Sequence, residues 1–410
     1  MYDRRTFLVN SFAAGAIGTL DGLRGFAAAA DAIKDAPFAL SLDAPARLYD
    51  GKRCWCHPRA GIVPSAGKDG GPRVVMTINT LDLAGSDVFR AAYSMETDDL
   101  GRTWSEPVEA AELAPRYEMI DGERRPVVVS DLSPAWHAAS KTLVTIGHTV
   151  AYTTKWRVAR PRPRHTSYAT YDVDRRKWNP WRKLEMPSGA KYHDAGAGCV
   201  QRCDLPGGEI LLPFYFRPND GSSRVAVARC SFDGETLKFL EHGNEMSVSD
   251  KTRGLHEPSL IRFGDEFLLT IRNDDLAYVT RSRDGQQFAP IRPWTFDDGE
   301  PLGNYNTQQH WAAHGEVLYL VYNRRGANND HIFRHRAPLF MARVDPRRLC
   351  VLRDTERVLV PERGARLGNF GVTDVSDNET WITVAEWMQP KGVEKRGADG
   401  SIFVARVRWT

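Results

Sequence analysis

The feature that most constrains the fold is a repeated alternation of short apolar runs and turns that contain Gly or Asp. Runs such as RVVMTIN, EILLPFYF, RVAVARCSF and VLYLVYN recur along the chain, and beyond the first thirty residues no stretch keeps a helical periodicity. Runs of about five to eight residues bounded by turn residues are typical of β-strands. The sequence therefore predicts an all-β protein.

One of these turns matches the full pattern S/T-x-D-x-G-x-T-W, the aspartate box, with Thr97, Asp99, Gly101, Thr103 and Trp104. In such a turn the carboxylate accepts bonds from local backbone amides, the glycine takes a positive φ, and the ring packs between strands. Three weaker copies continue the series at intervals of 75, 59 and 51 residues, with their acidic residues at Asp174, Asp233 and Asp284.

These intervals fit one four-stranded blade each, so the repeat predicts a β-propeller. Residues 31–410 are expected to form a single propeller domain, with seven blades as the first choice and a six-bladed, sialidase-type ring as the alternative. A β-sandwich with coincidental Asp-Gly turns is the rival architecture. The box itself is architectural and carries no information about chemistry.

The first thirty residues have the order of parts found in an export signal. Arg4 and Arg5 precede Thr6-Phe7-Leu8, a weakly apolar stretch follows at residues 12–20, and residues 27–30 are four alanines. This order resembles a twin-arginine signal with an A-x-A cleavage site, and an ordinary N-terminal helix is the alternative. We expect the twin-arginine machinery to deliver a mature protein, starting near Asp31, to the periplasm or the outside.

Composition excludes some partners. The 55 basic and 52 acidic residues of this 410-residue chain leave a net charge of +3, which argues against a dedicated nucleic-acid binder. No later segment has the roughly 18 to 20 apolar residues of a membrane span, so no membrane insertion is expected. Among six cysteines, Cys199 and Cys203 have a spacing that zinc ligands allow, but buried thiols are the favoured interpretation.

Histidines and arginines cluster in polar, aromatic segments such as GHTVAY, RPRPRHTSYATYD and DHIFRHRAPLF. Because the inner strands of a propeller converge on its central channel, these side chains are expected to line one funnel. Arginine binds carboxylates in a planar, two-point geometry, and aromatic rings offer flat faces to sugars. The pattern therefore predicts an acidic glycan as the ligand.

The aspartate box and the block EPSL…LLTIRND resemble the sialidase-like propeller superfamily. The segments SPAWHAASKTLVTIGHTVAY, PRHTSYATYD, GAGCVQRCDLPGGEILLPFYF, VARCSFDG, YNTQQHW and RHRAPLF are more similar to propeller polysaccharide lyases, the ulvan lyases and rhamnosyl-glucuronate lyases once classed as rhamnosidases. They cover most of residues 130 to 340, and HPRAG extends the likeness upstream. The resemblance implies cleavage of a uronic-acid-containing glycan by β-elimination, with no cofactor required for the chemistry.

The resemblance also implies roles for individual residues. His148 and His165 would form a histidine pair, Tyr215 would be the acid or base, and Arg229 and Arg272 would hold the carboxylate. Substrate contacts would come from His57, Arg59, His137, Arg202, Asn273 and Gln309. The chain departs from the lyase pattern at His256, where members commonly have Tyr, so its substrate preference is open.

Two features leave alternatives open. His310 and His335 could hold a structural metal ion, zinc or calcium, as members of the resembled group do. Arg229, Arg272 and one further arginine could form the carboxylate triad of a sialidase, although His57-Pro58-Arg59 stands where sialidases usually have Arg-Ile-Pro. A sialidase-type or rhamnosidase-type exo-glycosidase and a non-catalytic carbohydrate-binding propeller are therefore the competing functions.

The export hypothesis makes the first prediction. Replacing Arg4 and Arg5 with lysine should leave the precursor in the cytoplasm, because the arginine pair is the part of the signal that the receptor reads. Cell fractionation of the variant and the natural chain measures this. Normal delivery of the Lys-Lys variant would contradict the assignment.

Overall fold

The computed structural model describes residues 37–85, 87–160, 162–218 and 221–410, so the predicted signal segment lies outside the described residues. These residues form six antiparallel sheets, and each sheet contacts the next around a closed ring. The molecule is therefore a six-bladed β-propeller.

Blades 1 to 3 contain fifteen strands. Blade 1 consists of β2 (Arg53–Val63), β3 (Arg73–Asp82), β4 (Phe89–Thr97) and β5 (Val108–Glu109). Blade 2 consists of β6 (Arg116–Ile120), β7 (Glu123–His137), β8 (Thr142–Ala151), β9 (Thr166–Asp172), β10 (Lys177–Trp178) and β11 (Arg182–Lys183). Blade 3 consists of β12 (Ala195–Gly196), β13 (Cys203–Asp204), β14 (Ile210–Phe216), β15 (Arg224–Phe232) and β16 (Leu237–His242).

Blades 4 to 6 complete the ring. Blade 4 consists of β17 (His256–Phe263), β18 (Glu266–Arg272), β19 (Tyr278–Ser282) and β20 (Arg292–Pro293). Blade 5 consists of β21 (His310–His314), β22 (Val317–Tyr322), β23 (Leu339–Asp345), β24 (Cys350–Val351) and β25 (Arg357–Val360). Blade 6 consists of β26 (Gly371–Ser376), β27 (Glu379–Ala385), β28 (Ser401–Trp409) and, from the start of the chain, β1 (Phe38–Arg47).

Short 3₁₀ turns lie between some of these strands, at Lys68–Gly70, Ala111–Leu113, Ala190–Tyr192, Phe333–His335, Arg353–Thr355 and Val393–Arg396. Within the described part of the chain, no helix has the length and apolar character needed to cross a membrane.

The apolar core is divided among the contacts between neighbouring blades. Val75 of blade 1, for example, packs in one cluster with Val129 of blade 2, and Leu268 of blade 4 packs with Leu320 of blade 5. Strands that are covered on both faces read as nearly continuous apolar runs, which explains sequences such as ILLPFYF. Burial between blades therefore holds the ring together, and polar side chains are left for its axis.

The prediction of seven blades was wrong, and the six-bladed alternative is correct. Blade 2 alone spans Arg116 to Lys183 and carries a long β8–β9 connection of fourteen residues. The repeat intervals of 75, 59 and 51 residues average about 62, and residues 37–410 contain six such lengths rather than seven.

Two aspartate boxes have the predicted geometry. Asp99 accepts bonds from the Thr103 amide at 2.7 Å and the Thr103 hydroxyl at 2.6 Å, while Gly101 has a φ of +78°. Asp284 accepts from the Gln286 and Gln287 amides at 2.8 and 2.7 Å.

The copies in blades 2 and 5 differ from the expectation. In blade 2 the turn carboxylate belongs to Asp172, which accepts from the Arg175 amide at 2.9 Å, whereas Asp174 is exposed. Asp345 makes an equivalent turn in blade 5, with the amides of Arg347 and Arg348 at 2.9 and 3.0 Å. The predicted turn at Asp233 lies in blade 3, so each of the first five blades carries one such turn.

Asp99→Ala should lower the free energy of unfolding by about 1 to 3 kcal/mol, because the Thr103 amide and hydroxyl lose their acceptor. Burial by itself would raise the pKa of Asp99, but the Thr103 hydrogen bonds hold it below its usual value, which is consistent with a carboxylate that stabilises the fold. Denaturant unfolding measures the change. Asp174→Ala is the matched control and should leave stability unchanged; an equal loss in both variants would contradict the assigned role.

Candidate functional site

In every blade the innermost part of the chain has one non-glycine residue with a positive φ near the propeller axis. These residues are His57, Asp131, Cys199, Glu257, Asn306 and Asn369, with φ between 46° and 60°. In blades 1, 2 and 4 the strand pairing shifts register at this point, as in a β-bulge. The bulge turns the side chain away from the sheet, so the six residues form a ring of functional groups that we call the axial ring.

Asp131 is the centre of the axial ring. Its Oδ1 accepts from Arg59 Nη1 at 3.1 Å, from the Cys199 thiol at 2.8 Å and from Asn369 Nδ2 at 3.2 Å. These partners belong to blades 1, 3 and 6, so the carboxylate lies where blades that are not neighbours meet. Burial alone would raise the pKa of Asp131, but His57 and Arg59 hold it well below its usual range, so the group is a carboxylate.

A cavity of about 320 Å³ opens above the axial ring, and all six blades contribute to its wall. The wall is dominated by charged side chains. It consists of Asp87, Phe89, Asp131, His148, Arg160, Arg162, Arg164, Tyr215, Arg253, His256, Glu257, Arg272, Asp274, Asn306, Arg334, Arg336, Arg366, Asn369 and Trp387. Eight arginines against four carboxylates make this cavity strongly cationic, which suits an anionic ligand.

Two of the arginines are directed at one point. Arg272 and Arg336 both lie within hydrogen-bond distance of Asn306 Oδ1, at 3.4 and 3.3 Å. Arg272 also pairs with Glu257, while Arg336 has no carboxylate partner in the described chain. Burial and the neighbouring Arg272 lower the pKa of Arg336. A ligand carboxylate between these two guanidiniums would satisfy both of them.

His148 and Tyr215 form a hydrogen-bonded pair on the other side of the cavity. The Tyr215 hydroxyl lies 3.0 Å from His148 Nδ1, and His148 Nε2 lies 3.7 Å from Asp131 Oδ2. A side chain at Gly198 would place its Cβ only 2.0 Å from His148 Nδ1, so the glycine leaves the space that the imidazole occupies. The His148 imidazole therefore lies between the Asp131 carboxylate and the Tyr215 phenol.

The protonation of this pair follows from its burial. Burial lowers the pKa of His148 well below its usual value and raises the pKa of Tyr215. A neutral imidazole with its proton on Nε2, towards Asp131, can accept the Tyr215 proton at Nδ1. The Arg164 guanidinium lies 4.6 Å from the centre of the Tyr215 ring and favours negative charge on the phenol.

Among the residues predicted for catalysis, the structure brings His148, Tyr215 and Arg272 together in the cavity. Two others lie elsewhere. His165 is not part of the cavity wall, although its chain neighbour Arg164 is. Arg229 lies on the outer part of blade 3, where it pairs with Glu209 at 3.0 Å and Glu241 at 2.8 Å. Their predicted roles have no support in this geometry.

The predicted substrate contacts divide in a similar way. His57 and Arg59 surround Asp131 below the cavity, and burial lowers the pKa of His57 to about 4. The other four lie outside the cavity wall and have structural partners instead. His137 contacts Ser140 and the Gly208 carbonyl, Arg202 pairs with Asp204, Asn273 caps the amides of Asp275 and Leu276, and Gln309 accepts from Thr270.

The predicted metal pair is not a joint site. His310 contacts the Ser259 hydroxyl at 2.7 Å, whereas His335 contacts the Tyr305 hydroxyl at 2.5 Å. No group of three or more metal-ligating His, Cys, Asp or Glu side chains occurs among the described residues. Cys199 and Cys203 are free thiols: Cys199 is buried, as expected, and Cys203 is partly exposed.

Sequence reasoning missed several residues of the cavity. Asp131, Glu257, Asn306 and Asn369 are ordinary acidic and amide residues in sequence, and only the folded backbone, which has a positive φ at each of them, brings them to the axis. Arg336 belongs to the RHRAPLF segment, but the sequence did not predict a role in the site for it. No residue pattern marks these positions, because the positive φ of a non-glycine residue becomes visible only in the folded chain.

No protein-family model matches the sequence, and no curated protein is significantly similar to it. Solved structures do match. A Dyadobacter fermentans protein of unknown function is 13% identical with a TM-score of 0.60, covering 90% of this chain and 99% of that one. The NanB sialidase of Streptococcus pneumoniae is 11% identical, with a TM-score of 0.58 and coverage of 90% and 70%.

The Trypanosoma rangeli sialidase bound to sialic acid is 12% identical with a TM-score of 0.56, covering 90% of this chain and 59% of that one. This chain thus spans little more than half of that sialidase. The protein therefore has the fold of a sialidase-like six-bladed β-propeller. At these identities the likeness concerns the fold alone.

Asp131→Ala should destabilise the protein by about 3 to 5 kcal/mol, because Arg59 and the Cys199 thiol lose a buried partner. Since the folded pKa of Asp131 is lowered, its contribution is present above the unfolded pKa of about 3.9 and is lost as the pH falls below it. Unfolding at several pH values measures this. Asp131→Asn keeps the shape and isolates the charge, and a stability difference independent of pH between pH 3 and 6 would contradict the role.

Proposed function

We propose that this protein is an exported polysaccharide lyase that cleaves a uronic-acid-containing glycan by β-elimination. The observation that carries the proposal is the hydrogen bond of 3.0 Å between Tyr215 and His148, across a cavity in which Arg272 and Arg336 converge. Elimination next to a carboxylate requires a group that moves the C5 proton and cations that bind the carboxylate. The Tyr215–His148 pair and the two arginines would supply these groups. The linkages that we propose for cleavage are rhamnosyl-glucuronate or one like that of ulvan.

The carboxylate of the uronic acid is placed between Arg272 and Arg336. Elimination begins with loss of the C5 proton, which creates an aci-enolate with negative charge on both carboxyl oxygens. Guanidiniums held in place before the reaction stabilise that charge without reorganising. Glu257, which pairs with Arg272, keeps this guanidinium in position.

Tyr215 and His148 move the proton. The phenol oxygen takes the C5 proton while its own proton passes to His148 Nδ1, and the Asp131 carboxylate stabilises the imidazolium through Nε2. Tyr215 then gives a proton to the departing O4 oxygen as the C4–O4 bond breaks, and His148 returns its proton to Tyr215. The net result transfers the C5 proton to the leaving group and leaves a 4,5 double bond.

A sialidase-type hydrolase is the second candidate, because the fold is shared with sialidases and Glu257, Asp87 and several arginines line the cavity. That chemistry needs a Tyr-Glu nucleophile pair. Tyr215 is the one tyrosine in the described cavity wall, and it bonds His148, whereas Glu257 bonds Arg272. This pairing favours elimination over displacement at an anomeric carbon.

Tyr215→Phe and His148→Ala should each lower kcat by about 10² to 10⁴, because the proton relay loses one member. Arg272→Lys should lose activity as well, since an ammonium cannot form the planar two-point contact. Turnover is measured on a panel of acidic glycans by ultraviolet absorbance of the unsaturated uronate, with a reducing-end assay in parallel. Tyr192→Phe, in blade 3 outside the cavity, is the matched control and should keep full activity.

The parallel assays separate the candidate functions. A lyase produces reducing ends together with ultraviolet absorbance, a hydrolase produces reducing ends alone, and a binding propeller produces neither. The hydrolase also predicts a mild effect of His148→Ala and an essential Glu257. Full activity in both Tyr215→Phe and His148→Ala would overturn the proton relay.

A further inference from the structure

An exposed phenylalanine lies beside the cavity between two of its arginines. Phe333 is 45% exposed, one of six large hydrophobic side chains that face solvent among the described residues. The Arg334 and Arg366 guanidiniums lie 5.1 and 5.2 Å from the centre of its ring, and both arginines belong to the cavity wall. The Phe333 ring therefore adjoins the mouth of the cavity.

The two arginines lack acidic partners. Neither Arg334 nor Arg366 forms an ion pair with a carboxylate of the described chain, while Arg164, Arg253 and Arg272 all do. Arg366 is 1% exposed, and its Nε has no hydrogen-bond partner there. Burial, together with the neighbouring Arg334, lowers the pKa of Arg366 to about 10. A buried cation without a counter-charge costs stability, and an anionic ligand would remove that cost.

The turn that carries Phe333 is firmly held. Asn329 Nδ2 lies 3.0 Å from the Arg324 carbonyl and 2.7 Å from the Ala337 carbonyl, and the Tyr305 hydroxyl contacts His335 at 2.5 Å. Arg366 is also stacked from its other side by Trp387, whose ring centre lies 4.8 Å away. The turn that carries Phe333 and the Arg366 guanidinium are thus held in place before any ligand arrives, which lowers the ordering cost of binding.

We propose that Phe333, Arg334 and Arg366 form a second sugar-binding subsite, which takes an acidic sugar next to the one held by Arg272 and Arg336. The Phe333 ring offers a flat apolar face to the sugar ring, and the two guanidiniums bind its carboxylate. The substrate is then an oligosaccharide or polysaccharide with acidic sugars close together in the chain. This inference rests on the proposed acidic glycan ligand, but it does not need the lyase chemistry.

The experiment measures equilibrium binding by the whole folded chain, so turnover is not required. The Tyr215→Phe background prevents cleavage during the titration. The probes are galacturonic acid, its disaccharide to tetrasaccharide, and the matched neutral galactose series, each titrated by calorimetry. The chain should bind the acidic oligosaccharides at least about tenfold more tightly than the acidic monomer, and the neutral series should show no such gain.

Phe333→Ala should lower the affinity for the oligosaccharides about tenfold and leave the affinity for the monomer unchanged. Phe333→Tyr should keep the natural affinity because the ring remains. Arg334→Gln should weaken binding of the acidic series only. Tyr117→Ala is the matched control: Tyr117 is also an exposed aromatic residue, 55% accessible, with Arg124 at 4.8 Å from its ring, but it lies on edge strand β6 and is not part of the cavity wall. That variant should bind like the natural chain.

Three results would overturn the subsite. They are the absence of a length dependence in the Tyr215→Phe background, an equal loss for monomer and oligosaccharide when Phe333→Ala is added, and an equal loss when Tyr117→Ala is added. Failure of the proposed lyase gives a different outcome: no unsaturated product forms, but the length-dependent binding and its loss in Phe333→Ala remain. The two hypotheses can therefore fail independently.

Discussion

A single buried carboxylate on the propeller axis binds side chains from several blades at once. Neighbouring blades share apolar clusters, but blades 1, 2, 3 and 6 meet through Asp131, which binds Arg59, the Cys199 thiol and Asn369. A charge at this depth is tolerated because it is so completely hydrogen-bonded. The same group faces His148 at 3.7 Å, so the interaction that stabilises the centre of the ring also orients the proposed proton relay.

The axial ring gives the propeller one functional position per blade. A non-glycine residue at positive φ costs about 1 to 3 kcal/mol, and in blades 1, 2 and 4 the strand pairing on both sides of the bulge fixes the backbone there. The side chains vary, with an imidazole, two carboxylates, a thiol and two amides among the six. A shared backbone geometry thus presents different chemistry from each blade, and this explains how one fold can serve several reactions.

Much of the fold was predictable from sequence, because an aspartate box is a local structure: Asp99 and the residues that it binds lie within five positions of each other. The number of blades was not, since loop lengths vary and Asp345 escaped the pattern. His148, Tyr215 and Arg272, which were predicted through a family resemblance, line the cavity, whereas His165 and Arg229 do not. Residue type does not reveal which side chains of a blade face the axis. Asp131 and Arg336 depend on contacts between distant blades.

The ring closes through β1, which pairs with β28 so that Phe38 lies opposite Trp409. Contacts between the two ends of a chain are the last that a growing polypeptide can make, and topologies rich in such contacts fold slowly. Asn369 and Arg366 belong to the blade that this pairing completes, so the cavity acquires its full set of charges only at the final step. A chain in which β28 has not yet formed therefore lacks the assembled cavity and leaves the edges of β1 and β27 unpaired.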